Sequence, residues 1–476
     1  MVSEKAAGVI PEGQLLRPLY ATEHKILMLA NRSNMVIRVL ILPLLLVWSL
    51  AAIGCVSNRL YRKGEAAVEN PAILPAPKPG PASAEDFKLG FVEFDDMGEL
   101  WEPCPSLNAG TECQLSRVLA LIHNEKQGAF TTGNCRRDVV VVVFVHGWKN
   151  NASPYNESHK NLYAFKNLLG QLARQEKMTA STTGRPPRAY IGIYIAWRGQ
   201  VLAGDLFATF WNRRDAASRI AGPAFSEAIY RIIAASKQDS PATKVIVVGH
   251  SFGARILENS ISDVFVSLVL PNPASGSTGI GNPVSPADLI VYVNSANDSF
   301  RAKEMIELLK RSSVGVLRTP GKPSGPLFLS VTSEGDLATK MAFPIGQELS
   351  AFTKAFRRKE GGPGGSASPP QRKYFTRTPG HVSYLASHEI VIAGSDPANC
   401  DSANGIVRFY VAANCYELHA KNSRWNDSPY WVTEVPRAII PDHSQVFTDA
   451  FVTMLKRLIV HYDVIDSPQP TRMLLH

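Results

Sequence analysis

The 476-residue chain has no Cys-x-x-Cys pair and no cluster of His and Cys at zinc-ligand spacing, so nothing in it implies a structural metal. It has no internal repeat, which argues against solenoids and propellers. Its basic residues form neither an Arg/Lys-rich helix nor a stripe interleaved with aromatics, and a net charge of +9 spread in this way does not point to nucleic acid. The apolar run at residues 39–53, VLILPLLLVWSLAAI, holds a proline and is short for a membrane span. What is present is ordinary for a folded globular protein: 45% of residues are hydrophobic and 19% charged. The length suffices for one large domain or two ordinary ones around a buried core.

The N-terminal run follows Arg38 and ends in Gly54-Cys55, which matches the apolar core of a secretion signal. Met35 would begin a compact signal of this kind. The ending Ala52-Ile53-Gly54-Cys55 resembles the bacterial lipobox, in which small residues before a cysteine permit cleavage and the thiol receives a diacylglyceryl group. Ala52 stands where a leucine is usual. The resemblance implies that residues 1–55 are a signal and lipobox segment with Cys55 lipidated, or alternatively a single anchor helix. Either way the rest of the chain is held at a membrane on the exported, cell-envelope face. Residues 56–85 include NPAILPAPKPGPAS, rich in proline and without apolar period, and read as an extended tether. Residues 86–476 read as one domain, with a surface loop at 357–373, RRKEGGPGGSASPPQRK. Export permits disulfides, and the local pairings are Cys104 with Cys113 and Cys400 with Cys415, leaving Cys135 over.

Within the domain, short β-branched runs alternate with helical patterns. VVVVVFVHG (139–147), AYIGIYIAW (189–197), KVIVVGHS (244–251), LIVYVNS (289–295) and LFLSVTS (327–333) are nearly continuous in apolar residues, as strands buried on both faces of a parallel sheet are. Between them, 159–175, 224–236 and 302–311 space Leu, Ile, Ala and Phe at three and four, hence helices. Strand and helix in turn predict an α/β fold with a mostly parallel central sheet and helices on both faces.

Chemistry in such sheets gathers at the carboxyl ends of the strands, and Ser251 stands at one of them, in Gly249-His-Ser-Phe-Gly253. The glycines let the chain reverse sharply from strand to helix, leaving the serine hydroxyl at the tip. A serine attacks only with a base to take its proton, and the resulting oxyanion needs fixed donors. His146-Gly147-Trp148 ends an earlier strand, and its turn brings backbone amides toward the serine. The oxyanion donors are therefore expected to be the N–H groups of Trp148 and Phe252, with His146 bracing the loop rather than acting as base.

Through FVHGW and GHSFGAR, with YIGIYIAWRG between them, residues 137–460 resemble the α/β-hydrolase superfamily, specifically its bacterial esterase- and lipase-like members. The resemblance implies the chain order nucleophile, acid, histidine. It selects Asp336, after the strand LFLSVTS, as acid, with Asp298 and then Glu334 as alternatives. It selects His443, before the closing amphipathic helix, as base, with His381 as the alternative. It also implies a membrane-tethered serine hydrolase that cleaves carboxylic esters of small molecules or lipids through an acyl-enzyme, with no cofactor. The competing readings are an inactive hydrolase-fold lipoprotein used for binding or scaffolding, or a thioesterase, peptidase or acyltransferase with the same three side chains. Residues 199–222, with Leu202, Phe207, Phe210 and Trp211, read as a cap over an acyl pocket or as a packed helix.

Overall fold

The computed structural model describes residues 59–70, 73–74, 83–84, 87–104, 113–127, 138–154, 161–201, 209–238, 243–269, 287–311, 325–357, 369–400, 406–421, 425 and 428–462, without the side chains of 73–74, 83–84, 263–269, 311 and 399. All of these except Val201 belong to one unit, Asn58–Gln200 with Leu206–His476; the other unit, Met1–Ser57 with Val201–Asp205, lies outside the described residues apart from Val201. The apolar run 39–53, Cys55, Cys135, Leu202 and Phe207 therefore lie outside the described residues. Among the described residues no helix is long and apolar enough to cross a membrane.

The run of valines at 139–145 shows why the sheet forms. Val139, Val141, Val143 and Val145 enter one apolar cluster, while Val140, Val142 and Phe144 enter the other. Successive side chains of a strand point to opposite faces, so a strand with no polar position can exist only between two layers of helices. Each neighbouring central strand repeats this logic and is buried along its length.

The strands are β1 (Val68–Glu69), β2 (Ile73–Leu74), β3 (Ser83–Ala84), β4 (Phe87–Phe94), β5 (Val139–Val145), β6 (Ala189–Trp197), β7 (Lys244–His250), β8 (Leu289–Val293), β9 (Phe328–Ser333), β10 (His388–Gly394), β11 (Val407–Val411), β12 (Asn414–Ala420) and β13 (Tyr430–Val435). Eleven of them form one sheet in the order β1-β4-β6-β5-β7-β8-β9-β13-β10-β12-β11, and β2 and β3 pair separately. From β4 to β10 in that order every pairing is parallel; β1 at one edge and the β11–β12 hairpin at the other are antiparallel. Helices α1 (Gln114–Gln127), α3 (Phe210–Ile220), α4 (Pro223–Lys237), α5 (Phe252–Val269) and α6 (Ser299–Arg311) cover one face. Helices α2 (Asn161–Thr183) and α9 (Asp449–His461) cover the other, while α7 (Phe343–Ala351) and α8 (Gln371–Thr376) follow the later strands.

Two differences from the sequence reading stand out. Residues 59–70, inside the stretch read as tether, are partly packed: β1 pairs with β4, and buried Arg62 donates from Nε to the Ala152 carbonyl at 2.8 Å while its own N–H reaches Glu93 at 2.8 Å. A proline-rich composition after Asn70 hid this ordered piece before it. Residues 371–373, read as the end of a loop, begin helix α8. Of the segment read as a cap or a packed helix, Phe210–Ile220 form a helix whose Phe210, Arg213, Ala216, Ala217 and Ile220 are buried. Both local disulfides, Cys104–Cys113 and Cys400–Cys415, are formed; the second joins the β12 strand to the loop that precedes the β11–β12 hairpin.

Candidate active site

Connections leave β5 toward β6 on one side and then cross back to β7 on the other. At such a reversal the loops after β5 and β7 diverge, and a crevice opens at the strand ends. Ser251 follows β7 directly with φ +55°, left-handed backbone that an L-residue adopts only under constraint. The constraint is visible in its neighbours. A Cβ on Gly249 would lie 2.7 Å from Ala254 Cα, and one on Gly253 would lie 2.1 Å from the Val145 carbonyl oxygen. Helix α5 thus starts against β5 with no room for a side chain at either glycine. The Ser251 N–H donates to Val293 O at 3.0 Å, and its carbonyl accepts from Ala296 N at 3.2 Å and Arg255 N at 3.1 Å.

Three predicted residues meet here. Ser251 Oγ lies 2.8 Å from His443 Nε2, and His443 Nδ1 lies 2.9 Å from each oxygen of Asp336. Asp336 has no exposed surface. Burial alone would raise its pKa; the charge and hydrogen bond of His443, with donors from the Thr339 hydroxyl (2.6 Å) and N–H (3.0 Å), outweigh that and hold it below the ordinary carboxylate range. The carboxylate can only accept, so Nδ1 of His443 carries the proton and the Nε2 lone pair faces the serine.

Neither alternative acid takes this place. Asp298 is half-buried near Arg255 and accepts from Phe300 N at 3.2 Å, and its partial burial raises its pKa. Glu334 is exposed and lines a separate polar cavity. His381, the alternative base, sits behind the acid, with Nε2 3.2 Å from Thr339 Oγ1, and burial brings its pKa down to about 4.

His146 braces its loop, as expected. The Trp197 N–H donates to its Nε2 at 3.1 Å, which leaves the proton on Nδ1 to donate to Gly147 O at 2.8 Å. Burial takes its pKa down to about 4, so it stays neutral. A Cβ on Gly147 would come within 2.9 Å of Ser251 Cβ, which measures how close this loop runs to the serine turn. The Phe252 N–H belongs to the first residue of α5, where backbone donors have no intrahelical acceptor. Trp148 and Phe252 both line a cavity of about 440 Å³ around Ser251 and His443, whose apolar walls include Phe210, Ala338, Ala342 and Phe343. Phe210 comes from the segment suspected of capping the pocket.

Several side chains that hold the site escaped the sequence reading. His250 Nε2 donates to the His443 carbonyl at 2.7 Å, and its Nδ1 lies 3.1 Å from the Asn161 side chain, which also accepts from Gly147 N at 3.3 Å. Burial pushes the His250 pKa down to about 3, fixing it as a neutral strut. Asn294, at φ +48°, accepts from Ser333 N at 2.9 Å and donates to the carbonyls of Asp442 (3.2 Å) and His443 (3.3 Å). Asn294 therefore ties the strand ends of β8 and β9 to the histidine loop. On that loop, Asp442 Oδ1 accepts from Ser444 N at 2.7 Å and Gln445 N at 2.9 Å, a local turn that presents His443. Gly335 lets the acid loop approach it, since a Cβ there would meet Pro441 O at 2.0 Å. Only His250, adjacent to the serine, left any mark in the sequence.

The large, mostly parallel sheet with helices on both faces, with the strained serine turn at its reversal, is compatible with an α/β-hydrolase-like fold. No protein-family model and no curated protein matches the chain. Among solved structures the chain is similar to phospholipase PlaB from Legionella pneumophila, at 13% identity and a TM-score of 0.22, over 60% of this chain and 50% of that one. The match thus spans about half the length of that protein. A likeness this shallow does not bear on the chemistry.

Proposed function

We propose that the chain is a serine hydrolase that cleaves carboxylic esters through an acyl-enzyme. The observation that carries the proposal is the unbroken relay from Ser251 Oγ to His443 Nε2 at 2.8 Å and from His443 Nδ1 to Asp336 at 2.9 Å. In this reading Ser251 Oγ bonds to the ester carbonyl carbon as its proton passes to His443 Nε2. The N–H groups of Trp148 and Phe252 donate to the oxyanion that develops. His443 then protonates the departing alkoxide, the carbon–oxygen ester bond breaks, and an acyl group remains on Ser251. Water, deprotonated by the same imidazole, releases the acid. Asp336 keeps the imidazole in the working tautomer and stabilises it once charged. The reaction needs no cofactor.

The apolar cavity walls favour an acyl chain or a lipid ester over a highly polar substrate. The secretion-signal-like run at 39–53 and the lipobox-like ending at Cys55 support export and tethering to a membrane of the cell envelope. Pre-steady-state hydrolysis of p-nitrophenyl esters tests the chemistry. An initial burst equal to the enzyme concentration is expected for the wild type, and Ser251→Ala should lose roughly 10⁴-fold or more in kcat. Equal rates for the two would refute the proposal.

A further inference from the structure

Residues 337–352 turn two unlike faces to their surroundings. One face closes the pocket: Ala338, Thr339, Ala342 and Phe343 all line the cavity around Ser251. The other face is bare. Leu337, Met341, Ile345, Leu349 and Phe352 are 56%, 59%, 60%, 60% and 80% exposed. They account for five of the ten large hydrophobic residues exposed among the described residues, on a stretch of sixteen. Their spacing of four, four, four and three makes one continuous ridge along the π-helical turn Ala338–Ala342 and α7. Exposed apolar side chains scattered singly need no explanation, but a contiguous strip does.

The flanks of the ridge are basic. Lys340, Lys354, Arg357 and Lys373 are exposed around it. The acid on the helix, Glu348, is held by Arg372 Nε at 3.0 Å. A convex apolar strip with a cationic border fits a fluid bilayer of anionic lipid, into which such a helix sinks its apolar side while the cations meet headgroups. We propose that the segment following Asp336 docks this domain on an anionic lipid surface, with Leu337, Met341, Ile345, Leu349 and Phe352 entering the acyl boundary. The opposite side of the same helix is the pocket wall, so docking would set the pocket beside the bilayer. Docking stands apart from the esterase reading; its consequence for turnover rests on that reading.

The test uses the full chain with Cys55→Ala and Cys135→Ala, carrying an environment-sensitive fluorophore on Ile345→Cys. On vesicles of phosphatidylcholine with about 30% phosphatidylglycerol, the fluorophore should shift to the blue and be quenched by doxyl-labelled lipid, and less so on phosphatidylcholine alone. The same fluorophore on Met178→Cys, exposed on α2, should stay unquenched. No quenching at 345 on anionic vesicles overturns the proposal. So does equal shielding of 345 without vesicles together with a dimer mass, which would assign the ridge to a second copy. In turnover, Ile345→Asp with Leu349→Asp should slow a vesicle-embedded ester about tenfold or more and leave a water-soluble short-chain ester unchanged. Equal loss on both esters would mean that the ridge supports the site's fold and not docking. A wild type that hydrolyses neither ester refutes the esterase reading, while the quenching result still decides the docking.

Discussion

Replacing Asp336 by asparagine exchanges one carboxylate oxygen for an NH₂ group and tests how the imidazole is held. The side chain is fully buried; Oδ1 accepts from the Thr339 N–H and Oδ2 from the Thr339 hydroxyl, while His443 Nδ1 sits 2.9 Å from both. In Asp336→Asn the amide oxygen must take the Thr339 N–H, which leaves the amide NH₂ facing the hydroxyl and His443. At the Oδ2 position an NH₂ hydrogen would meet Nδ1–H head on but can donate to a bare Nδ1, which favours the tautomer with the proton on Nε2 and presents Ser251 with a donor where a base is required. The expected loss in kcat is about 10⁴-fold, or about 5.5 kcal/mol in the barrier. KM should change little, because Asp336 does not line the cavity. Steady-state hydrolysis of a p-nitrophenyl ester reads both constants, and circular dichroism checks the fold. A folded variant that loses less than about tenfold in kcat would refute the tautomer argument. Stability adds a sign. The Asp336 pKa is lowered on folding, so its contribution is present above the unfolded value and lost as pH falls through the folded one. The wild type should therefore lose melting temperature below about pH 4 more steeply than the variant.

Asn294→Gly keeps the left-handed backbone easy and removes the clamp between β8, β9 and the histidine loop, so kcat should fall about 10- to 100-fold with KM nearly constant. Unchanged kcat would deny Asn294 a positioning role. Cys400→Ser with Cys415→Ser opens a loop of 15 residues and should cost about 3 kcal/mol on chain-entropy grounds. Ester hydrolysis should be unaffected at room temperature, which thermal melts and rates together would check. Glu258, on the buried side of α5, has donors from Asn297, Tyr430 and Ser295, and burial raises its pKa from 4.5 to about 7. A carboxyl that binds its proton more tightly in the fold destabilises as pH rises from the unfolded toward the folded value. Glu258→Gln should thus gain stability over the wild type at pH 8, by up to about 3 kcal/mol, and lose that gain near pH 4.5. A pH-independent difference in denaturant midpoints would contradict this.

Much of this molecule is written locally. The valine run at 139–145 can exist only as a doubly buried strand, and glycines two residues before and after Ser251 mark a turn that Cβ atoms would block. The local cysteine pairs were legible because short loops bring them together. Asp336 and His443, which the structure places beside Ser251, were picked as candidates by the chain order that the resemblance implies, since nothing in SEGDLAT or PDHSQVF distinguishes them from solvated loop residues. Asn161 and Asn294 stayed hidden for a plain reason: their partners lie on loops brought near only by the sheet. Thr339 donates to Asp336 only three residues before it, a local turn that no residue pattern marks as part of a site. The apolar ridge was hidden too. The spacing of Leu337, Met341, Ile345 and Leu349 is that of a core-facing helix, and periodicity does not say which side of a helix meets water. The antiparallel β11–β12 edge escaped because its strands are half-exposed and lack a continuous apolar run.

Covalent capture tests the nucleophile most directly. Treated with a fluorophosphonate, the wild-type chain should gain one adduct, mapped by mass spectrometry to the peptide holding Ser251, with none in Ser251→Ala and greatly slowed labelling in His443→Ala. A folded wild type that gains no adduct, or an adduct of equal yield in Ser251→Ala, would contradict the assignment of Ser251 as the attacking group.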